Sequence, residues 1–89
     1  MSQRNNNQDR NALKREFARQ LLDSYFMFRS NLPGAGYIQE NKTTLQIMDD
    51  LTPMMMLSTD DVVQYMVDHD YQPTTEHDGS VAWAIWRQV

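Results

Sequence analysis

The chain has 89 residues, a length that predicts one domain with a single hydrophobic core. It has no cysteine, which excludes disulfides, Cys-ligated zinc, iron–sulfur clusters and thiol nucleophiles. The formal net charge is −4, but residues 1–30 hold six basic and three acidic side chains, whereas residues 31–89 hold two and nine. Because an acidic surface repels phosphates, any contact with nucleic acid is expected from the first thirty residues.

The segment 1–8 is rich in Asn and Gln and has no apolar side chain after Met1, so we expect a disordered polar tail. A single domain is then expected over residues 9–89. A secretory signal needs an apolar run at this end, and no apolar run approaches the ~20 residues that span a bilayer. We therefore expect a cytoplasmic protein with no membrane contact.

From about Asp9, apolar residues recur at spacings of four and three, which predicts an amphipathic helix. Its apolar stripe consists of Leu13, Phe17, Leu21, Tyr25 and Phe28, widened by Leu22 and Phe26. Arg15 and Arg19 are expected on the opposite face. Asn31, followed by Leu32, Pro33 and Gly34, predicts the end of this helix.

Two short elements follow. Tyr37-Ile38-Gln39 has the composition of a short strand. Thr43 or Thr44 can cap a helix that ends near Thr52-Pro53, because a residue before proline disfavours helical geometry. The apolar residues of this helix are Leu45, Ile47, Met48 and Leu51.

Ser58 predicts the start of a third helix, since its hydroxyl can cap free backbone N–H groups and Asp60 and Asp61 complement the positive end of the helix dipole. This helix is expected to run to about His69. Its predicted apolar face consists of Val62, Val63, Met66 and Val67. The preceding run Met54–Leu57 has two interpretations, an adaptable binding surface or a filler of gaps in a small core, and the second is favoured.

Residues 71–76 and 80–87 are predicted to form a C-terminal hairpin around Asp78-Gly79, a pair that favours a two-residue type I′ turn. In that register Tyr71 lies opposite Trp86, Pro73 opposite Ala84 and Thr74 opposite Trp83, so Tyr71, Pro73 and Trp86 share one sheet face. The run 81–86 is apolar on both faces, as in a central strand, with the Pro73 strand and the Tyr37 strand as its edges. The two tryptophans should face opposite ways unless a bulge intervenes.

The order helix, short strand, helix, helix, strand, tight turn, strand resembles the winged-helix fold over about residues 10–88. The resemblance implies an α+β domain with three helices and a small three-stranded antiparallel sheet that ends in a tight β-hairpin. It puts residues 58–69 in the position of the recognition helix and residues 77–80 at the tip of a short wing. Because many winged-helix proteins bind DNA, it also implies a candidate function.

The residues of the presumed recognition helix oppose DNA binding. This helix has Asp60, Asp61 and Asp68 but no Lys or Arg, the residues that phosphate anchoring and base readout mainly need. DNA contacts would instead come from the N-terminal basic residues Arg4, Arg10, Lys14, Arg15 and Arg19. A charged helix face is, however, more often simply solvated.

Catalytic and metal-binding constellations are not expected. His69 and His77 both have carboxylate neighbours, but an extended strand would separate them by about 25 Å at ~3.3 Å per residue. The chain has no nucleophile elbow and no glycine-rich phosphate loop. We therefore expect neither an enzyme nor a cofactor.

The leading hypothesis is a non-catalytic interaction module, a small accessory or regulatory protein that binds a protein partner. Its candidate contact residues are Tyr71, Pro73, Trp83 and Trp86, since Trp and Tyr are enriched at interface hot spots. The first helix or the Met54–Leu57 segment could instead cover this face. The alternatives are a DNA-binding regulator that uses the basic N-terminal region and an acidic decoy for a nucleic-acid site on another protein. The oligomeric state is left open.

Overall fold

The computed structural model describes residues 6–89, with side chains from Arg10 onward. Its helices are α1 (Asn6–Tyr25), α2 (Thr44–Leu51) and α3 (Thr59–Asp68), and its strands are β1 (Arg29–Ser30), β2 (Tyr37–Gln39), β3 (Pro73–Thr75), β4 (Val81–Trp83) and β5 (Trp86–Gln88). The predicted small α+β domain with three helices is thus confirmed. Residues 1–5 of the predicted tail lie outside the described residues. None of the described helices is both long and apolar enough to cross a membrane.

Both predicted helix caps are confirmed. The Thr43 hydroxyl accepts from the Gln46 N–H at 3.1 Å, and the Gln46 side chain accepts from the Thr43 N–H at 2.8 Å. Ser58 and Asp61 form the same reciprocal capping box at the start of α3. Such boxes satisfy backbone donors that the first helical turn leaves without partners.

The C-terminus of α3 turns through Asp70, which adopts a left-handed backbone conformation with φ of 61°. The Tyr71 N–H donates to the Met66 carbonyl at 2.9 Å, and the Asp70 N–H donates to the Val67 carbonyl at 3.2 Å. This pair of bonds is a Schellman motif. It directs the chain from α3 back toward the core at Tyr71.

The predicted apolar stripe of α1 is wrong in its N-terminal half. Leu13 and Phe17 are 61% and 62% exposed, whereas Ala18, Leu22 and Phe26 are buried. The cause is the position of the neighbouring helix, because α1 packs against α3 and every residue from Arg10 to Phe17 is exposed. The helix also ends earlier than predicted, at Tyr25, because Arg29 and Ser30 pair with β5 as strand β1.

The predicted single C-terminal strand is divided, and the predicted three-stranded sheet is replaced by two sheets. β5 is central in a three-stranded antiparallel sheet of order β1-β5-β2, and β3 and β4 form a two-stranded sheet. The expected pairing of the Tyr37 strand with the C-terminal strand is confirmed, although it involves β5 alone. An isolated bridge from Lys42 to Trp83 lies beside β4.

The hairpin at Asp78-Gly79 is present, but its predicted type I′ turn and register are wrong. Only Gly79 among the turn residues has a positive φ, of 87°, and type I′ requires positive φ at both central residues. The Glu76 N–H donates to the Ser80 carbonyl at 2.8 Å and the Gly79 N–H to the Glu76 carbonyl at 3.0 Å, which gives a three-residue loop. Pro73 therefore lies opposite Trp83 and Thr74 opposite Ala82, one residue away from the predicted pairing.

The core combines residues of all three helices with residues near the C-terminal strands. Its buried members are Ala18, Leu22, Phe26, Ile47, Leu51, Leu57, Val62, Tyr65, Met66, Tyr71 and Ile85. On α3, Tyr65 takes the place predicted for the exposed Val67. The Met54–Leu57 run is mixed, since Leu57 is buried and Met55 packs against the core while Met54 and Met56 are exposed.

Candidate protein-interaction surface

The strand register defines two faces of the three-stranded sheet. Ser30, Trp86 and Gln39 are direct cross-strand neighbours, as are Arg29, Arg87 and Ile38. Because side chains alternate along a strand, these two rows lie on opposite faces. The face that contains Trp86 is called the aromatic face below, and the face that contains Arg87 is called the inner face.

A second row on the aromatic face adds Phe28 and Tyr37. Tyr37 lies opposite Gln88 on one side of β5, and the Gln88 N–H donates to the Phe28 carbonyl at 2.9 Å on the other side. Trp86 is thus a diagonal neighbour of Tyr37 on one side of β5 and of Phe28, the residue just before β1, on the other, a separation of about 7–8 Å in each pair. Three aromatic side chains from distant parts of the sequence share one side of the sheet.

The inner face is fixed by ion pairs and a buried apolar residue. Glu40 accepts from Arg87 Nε at 2.8 Å and lies 3.5 Å from Arg29 Nη2. The Arg29 guanidinium also stacks over the Tyr25 ring at 4.2 Å from its centroid, and the Ile85 side chain is fully buried. The contacts of Arg29 and Ile85 direct this face toward the body of the domain, although Ile38 at its edge is 43% exposed.

A further group of polar side chains, Tyr25, Lys42 and Asp50, connects the inner face to α2. Tyr25 donates its hydroxyl to Asp50, and Lys42 Nζ lies 2.7 Å from the same carboxylate. Burial and the bond to Asp50 raise the pKa of Tyr25. Burial favours a higher pKa for Asp50, but the bonds from Lys42 and Tyr25 outweigh it and hold the pKa of Asp50 below its usual range.

The exposure of the aromatic face distinguishes it from the core. Phe28 is 62% exposed, Tyr37 and Trp86 are half-buried, and none of the three belongs to the core cluster or packs against it. Within the described residues, no acceptor pairs with Trp86 Nε1, whereas Trp83 Nε1 donates to Thr44 Oγ1 at 2.9 Å. Trp86 therefore has an apolar surface and a hydrogen-bond donor available to a partner.

The candidate contact residues lie in four different environments. Tyr71 is only 6% exposed and packs on Phe26 with ring centroids 5.0 Å apart; burial raises its pKa to about 12. Pro73 is exposed on β3 and Trp83 is half-buried against the core. Only Trp86 lies on the aromatic face, because β3 and β4 belong to the other sheet and Tyr71 is buried in the core.

Phe28 and Tyr37 are candidate contact residues that sequence reasoning missed. Phe28 fitted the helical stripe of the first helix, and a two-residue strand such as β1 gives too short a pattern to predict. Tyr37 was placed in a strand, but its face depends on the register with β5. With a hairpin loop of the correct length, the predicted pairing of the Tyr37 strand with the C-terminal strand could have indicated this face.

The basic candidates lie on α1, apart from Arg4, which falls outside the described residues. Arg10, Lys14, Arg15 and Arg19 are exposed, and Arg19 is 2.8 Å from Glu16. Arg15 and Arg19 form one wall of a groove of about 550 Å³ between α1 and α3. The opposite wall includes three acidic side chains, Asp60, Asp61 and Asp68, together with Val63, Gln64, Tyr65 and His69.

The two histidines are separated, as expected from their positions in the chain. His69 stacks on Tyr65 with ring centroids 3.9 Å apart and has Nε2 3.9 Å from Asp23, whereas His77 lies in the hairpin loop. Asp23 also accepts from the Tyr65 hydroxyl at 2.8 Å. In the part of the chain that the structure describes, no three His, Asp or Glu side chains are grouped to hold a metal ion.

Comparison of this chain with protein-family models, with curated proteins and with solved structures finds no match. Function is therefore inferred from the described residues. The aromatic face combines the exposed ring of Phe28, the half-buried rings of Tyr37 and Trp86, one indole N–H donor and three polar side chains between the rings, those of Ser30, Gln39 and Gln88. This arrangement suits noncovalent contact with another molecule.

Proposed function

We propose that this chain is a non-catalytic interaction module, a small accessory or regulatory protein that binds a protein partner through its aromatic face. We also propose that its α+β domain is winged-helix-like. The element order supports the second proposal, as does the position of the segment 81–88. Along one edge this segment pairs with β3, and along the opposite edge it pairs with Lys42 and with β2.

The observation that carries the proposed function is the composition of the aromatic face. None of its six side chains is charged, although 22% of the chain is charged and the net charge is −4. The centres of protein interfaces are depleted in charge and enriched in Trp, Tyr and Phe, which bury large areas with few rotatable bonds. On this face Trp86 lies between Ser30 and Gln39, and Gln88 lies between Phe28 and Tyr37. Trp and Tyr are among the residue types enriched at interface hot spots.

The chemistry of the face also describes the partner. Phe28, Tyr37 and Trp86 offer apolar surface, so the partner should insert apolar side chains between them. Trp86 Nε1 needs an acceptor once water is excluded, because an unpaired buried donor costs about 1–3 kcal/mol. A partner carbonyl or carboxylate close to the indole satisfies that requirement.

A displayed library of random peptides, selected on the full chain, tests the proposal. Selected peptides should bind Trp86→Ala at least tenfold more weakly than the wild type, a loss of about 1.4 kcal/mol. Phe28→Ser should weaken them in the same way. Both variants should unfold at a urea concentration close to that of the wild type, because neither side chain packs against the core cluster.

Phe17→Ser is the matched control, since Phe17 and Phe28 are equally exposed but only Phe28 lies on the aromatic face. Selected peptides that bind Phe17→Ser more weakly and Trp86→Ala normally would contradict the proposed surface. Global unfolding of Trp86→Ala would show that Trp86 belongs to the core and would contradict the proposal.

The alternative function is DNA binding through Arg10, Lys14, Arg15 and Arg19, with Arg4 preceding them. The exposure of these four α1 side chains supports it, but the acidic wall of α3 faces Arg15 and Arg19 across the groove and repels phosphates. A chemical-shift titration with duplex DNA at low and moderate salt separates the two functions. Shifts along residues 10–19 that vanish with salt support DNA binding, and the absence of shifts at low salt excludes it.

A further inference from the structure

Strand β2 lies at an open edge of the three-stranded sheet. It pairs with β5 on one side, and the order β1-β5-β2 leaves its other side without a neighbouring strand among the described residues. The Glu40 N–H donates to the Ile85 carbonyl at 2.7 Å. Because backbone groups alternate in direction along a strand, those of Ile38 also point toward β5, whereas those of Tyr37 and Gln39 point away from it.

Three backbone groups on this outer side have no hydrogen-bond partner in the part of the chain that the structure describes. They are the Tyr37 carbonyl and both the N–H and the carbonyl of Gln39, whereas the Tyr37 N–H donates to the Gly34 carbonyl at 3.1 Å. The Ile38 side chain between them is 43% exposed. This outer side of residues 37–39 is called the β2 edge below. Open strand edges are templates for pairing with another strand.

The edges of the other outer strands have features that hinder such pairing. Pro73 in β3 has no N–H to donate. Arg29 in β1 is charged, and its N–H already donates to the Phe26 carbonyl at 3.0 Å. Lys42 forms two backbone hydrogen bonds with Trp83 in β4. The β2 edge has no proline and no charged residue, so it is better suited to the addition of a strand.

We propose that the β2 edge pairs with the β2 edge of a second copy of this chain, antiparallel and with Ile38 opposite Ile38. In this register the Gln39 N–H of each copy donates to the Tyr37 carbonyl of the other copy, so the same bond forms twice by symmetry. The two exposed Ile38 side chains then cover each other at the centre. The product is one six-stranded sheet that extends through both copies.

Charge and register favour a second copy as the occupant. The register places Glu40 opposite Gly36, which has no side chain, so over residues 36–40 no charged residue lies opposite another although the chain has a net charge of −4. The neighbouring register, with Gln39 opposite Gln39, would instead place Ile38 opposite the Glu40 carboxylate. Only the first register buries Ile38 against an apolar side chain.

The pairing has two consequences for the assembly. Each copy contributes only three residues to the β2 edge, so the dimer should be weak and should depend on protein concentration. Because Tyr37 of one copy faces Gln39 of the other, the two aromatic faces lie on the same side of the combined sheet. The dimer itself does not depend on the function proposed for the aromatic face.

A cross-linking experiment tests the register. The chain has no cysteine, so Ile38→Cys introduces a single thiol. Ile38 and its counterpart form a non-hydrogen-bonded antiparallel pair, in which Cα atoms are about 4.5 Å apart, and a disulfide can span that distance. Under mild oxidation Ile38→Cys should form a covalent dimer at least tenfold faster than Val67→Cys, a control at an exposed apolar residue of α3.

Sedimentation equilibrium of the full chain tests the dimer without a cross-link. Ile38→Lys places two ammonium groups opposite each other and should raise the dissociation constant of the dimer at least tenfold. Gln39→Pro should have a similar effect, because it removes an N–H that points away from β5. Thr75→Pro on the β3 edge, which removes an N–H directed away from β4, is the matched control and should leave the dissociation constant unchanged.

Three outcomes would overturn the proposal. They are a wild-type chain that stays monomeric at its highest soluble concentration, equal cross-linking of Ile38→Cys and Val67→Cys, and dimers of a folded Ile38→Lys or Gln39→Pro variant as stable as those of the wild type. If the wild type is monomeric and library-selected peptides lose affinity for Gln39→Pro, the β2 edge instead accepts a strand from another protein.

Discussion

Strands β4 and β5 belong to one apolar run of sequence, yet they place their tryptophans in different surroundings. Trp83 in β4 packs against the core and donates its indole N–H to Thr44. Trp86 in β5 lies on the aromatic face, and its indole N–H has no acceptor among the described residues. The two tryptophans have similar apolar neighbours in the sequence, but the pairing of their strands places them in different structural environments.

The change occurs at Ile85, between the two strands. The Ile85 carbonyl accepts from the Glu40 N–H at 2.7 Å, and its own N–H donates to Asn41 Oδ1 at 3.3 Å. Its side chain is fully buried. Ile85 therefore connects a strand that is paired with β3 to one that is paired with β1 and β2, while its side chain anchors both to the core.

Ile85→Ala is expected to give the largest effect, because it removes this shared anchor. Loss of a fully buried isoleucine side chain should lower the free energy of unfolding by about 2–5 kcal/mol. Urea unfolding followed by tryptophan fluorescence measures the change. Val81→Ala in the neighbouring strand is the control, since Val81 is exposed and its loss should change stability by no more than about 0.5 kcal/mol.

The tryptophans themselves provide the direct comparison. Trp83→Ala should destabilise the domain by about 2 kcal/mol, because it removes a half-buried ring and leaves Thr44 without its donor. Trp86→Ala should cost less than about 1 kcal/mol, since the ring does not pack against the core. Equal losses in urea unfolding, or a larger loss for Trp86→Ala, would contradict the assignment of the two faces.

A smaller effect is expected at the hairpin loop, which sets the register of β4. Gly79 has φ of 87°, and an added Cβ meets no atom within 4 Å, so Gly79→Ala should cost about 1–2 kcal/mol from backbone strain alone. Gly34→Ala serves as the control, because its Cβ would lie 3.7 Å from Tyr37 Cδ1 in ordinary contact. A neutral Gly79→Ala in thermal unfolding would argue against the left-handed conformation.

The sequence predicted the parts of the fold that depend on local chemistry. Thr43 and Ser58 cap helices through partners that lie only three residues further along the chain. Asp78-Gly79 likewise predicts a turn from neighbouring residues alone. The order of helices and the strand at Tyr37 were also predictable from local patterns. These features require no knowledge of distant neighbours.

The wrong predictions concern features that depend on contacts between residues distant in the sequence. A three-residue loop and a two-residue loop are both compatible with Asp78-Gly79, and the choice moved Tyr71 from the candidate contact face into the core. Likewise, the helical spacing of Leu13 and Phe17 predicts burial only where a second helix lies alongside, and burial on α1 begins only at Ala18. Of the candidate contact residues, Trp86 was predictable, whereas Phe28 and Tyr37 required knowledge of which segments pair with β5.

The smallest expected effect concerns Tyr71, which is buried in the core and differs in this from Trp86. Burial raises its pKa to about 12, against an opposing effect of Arg29, whereas an unfolded tyrosine ionises near 10. Because the folded pKa is raised, the neutral ring stabilises the fold fully below pH 10, and this stabilisation is lost as pH rises toward 12. For Tyr71 alone the loss at pH 10.5 is on the order of 1 kcal/mol.

Urea unfolding of the wild type and of Tyr71→Phe, compared at neutral pH and at pH 10.5, measures this contribution. Tyr71→Phe should lose less stability than the wild type on the alkaline side, because phenylalanine cannot ionise. The raised pKa values of Tyr25 and Tyr65 act in the same direction and remain in both proteins. The difference between the two proteins therefore isolates Tyr71, and identical losses would mean that the folded chain does not raise the pKa of Tyr71.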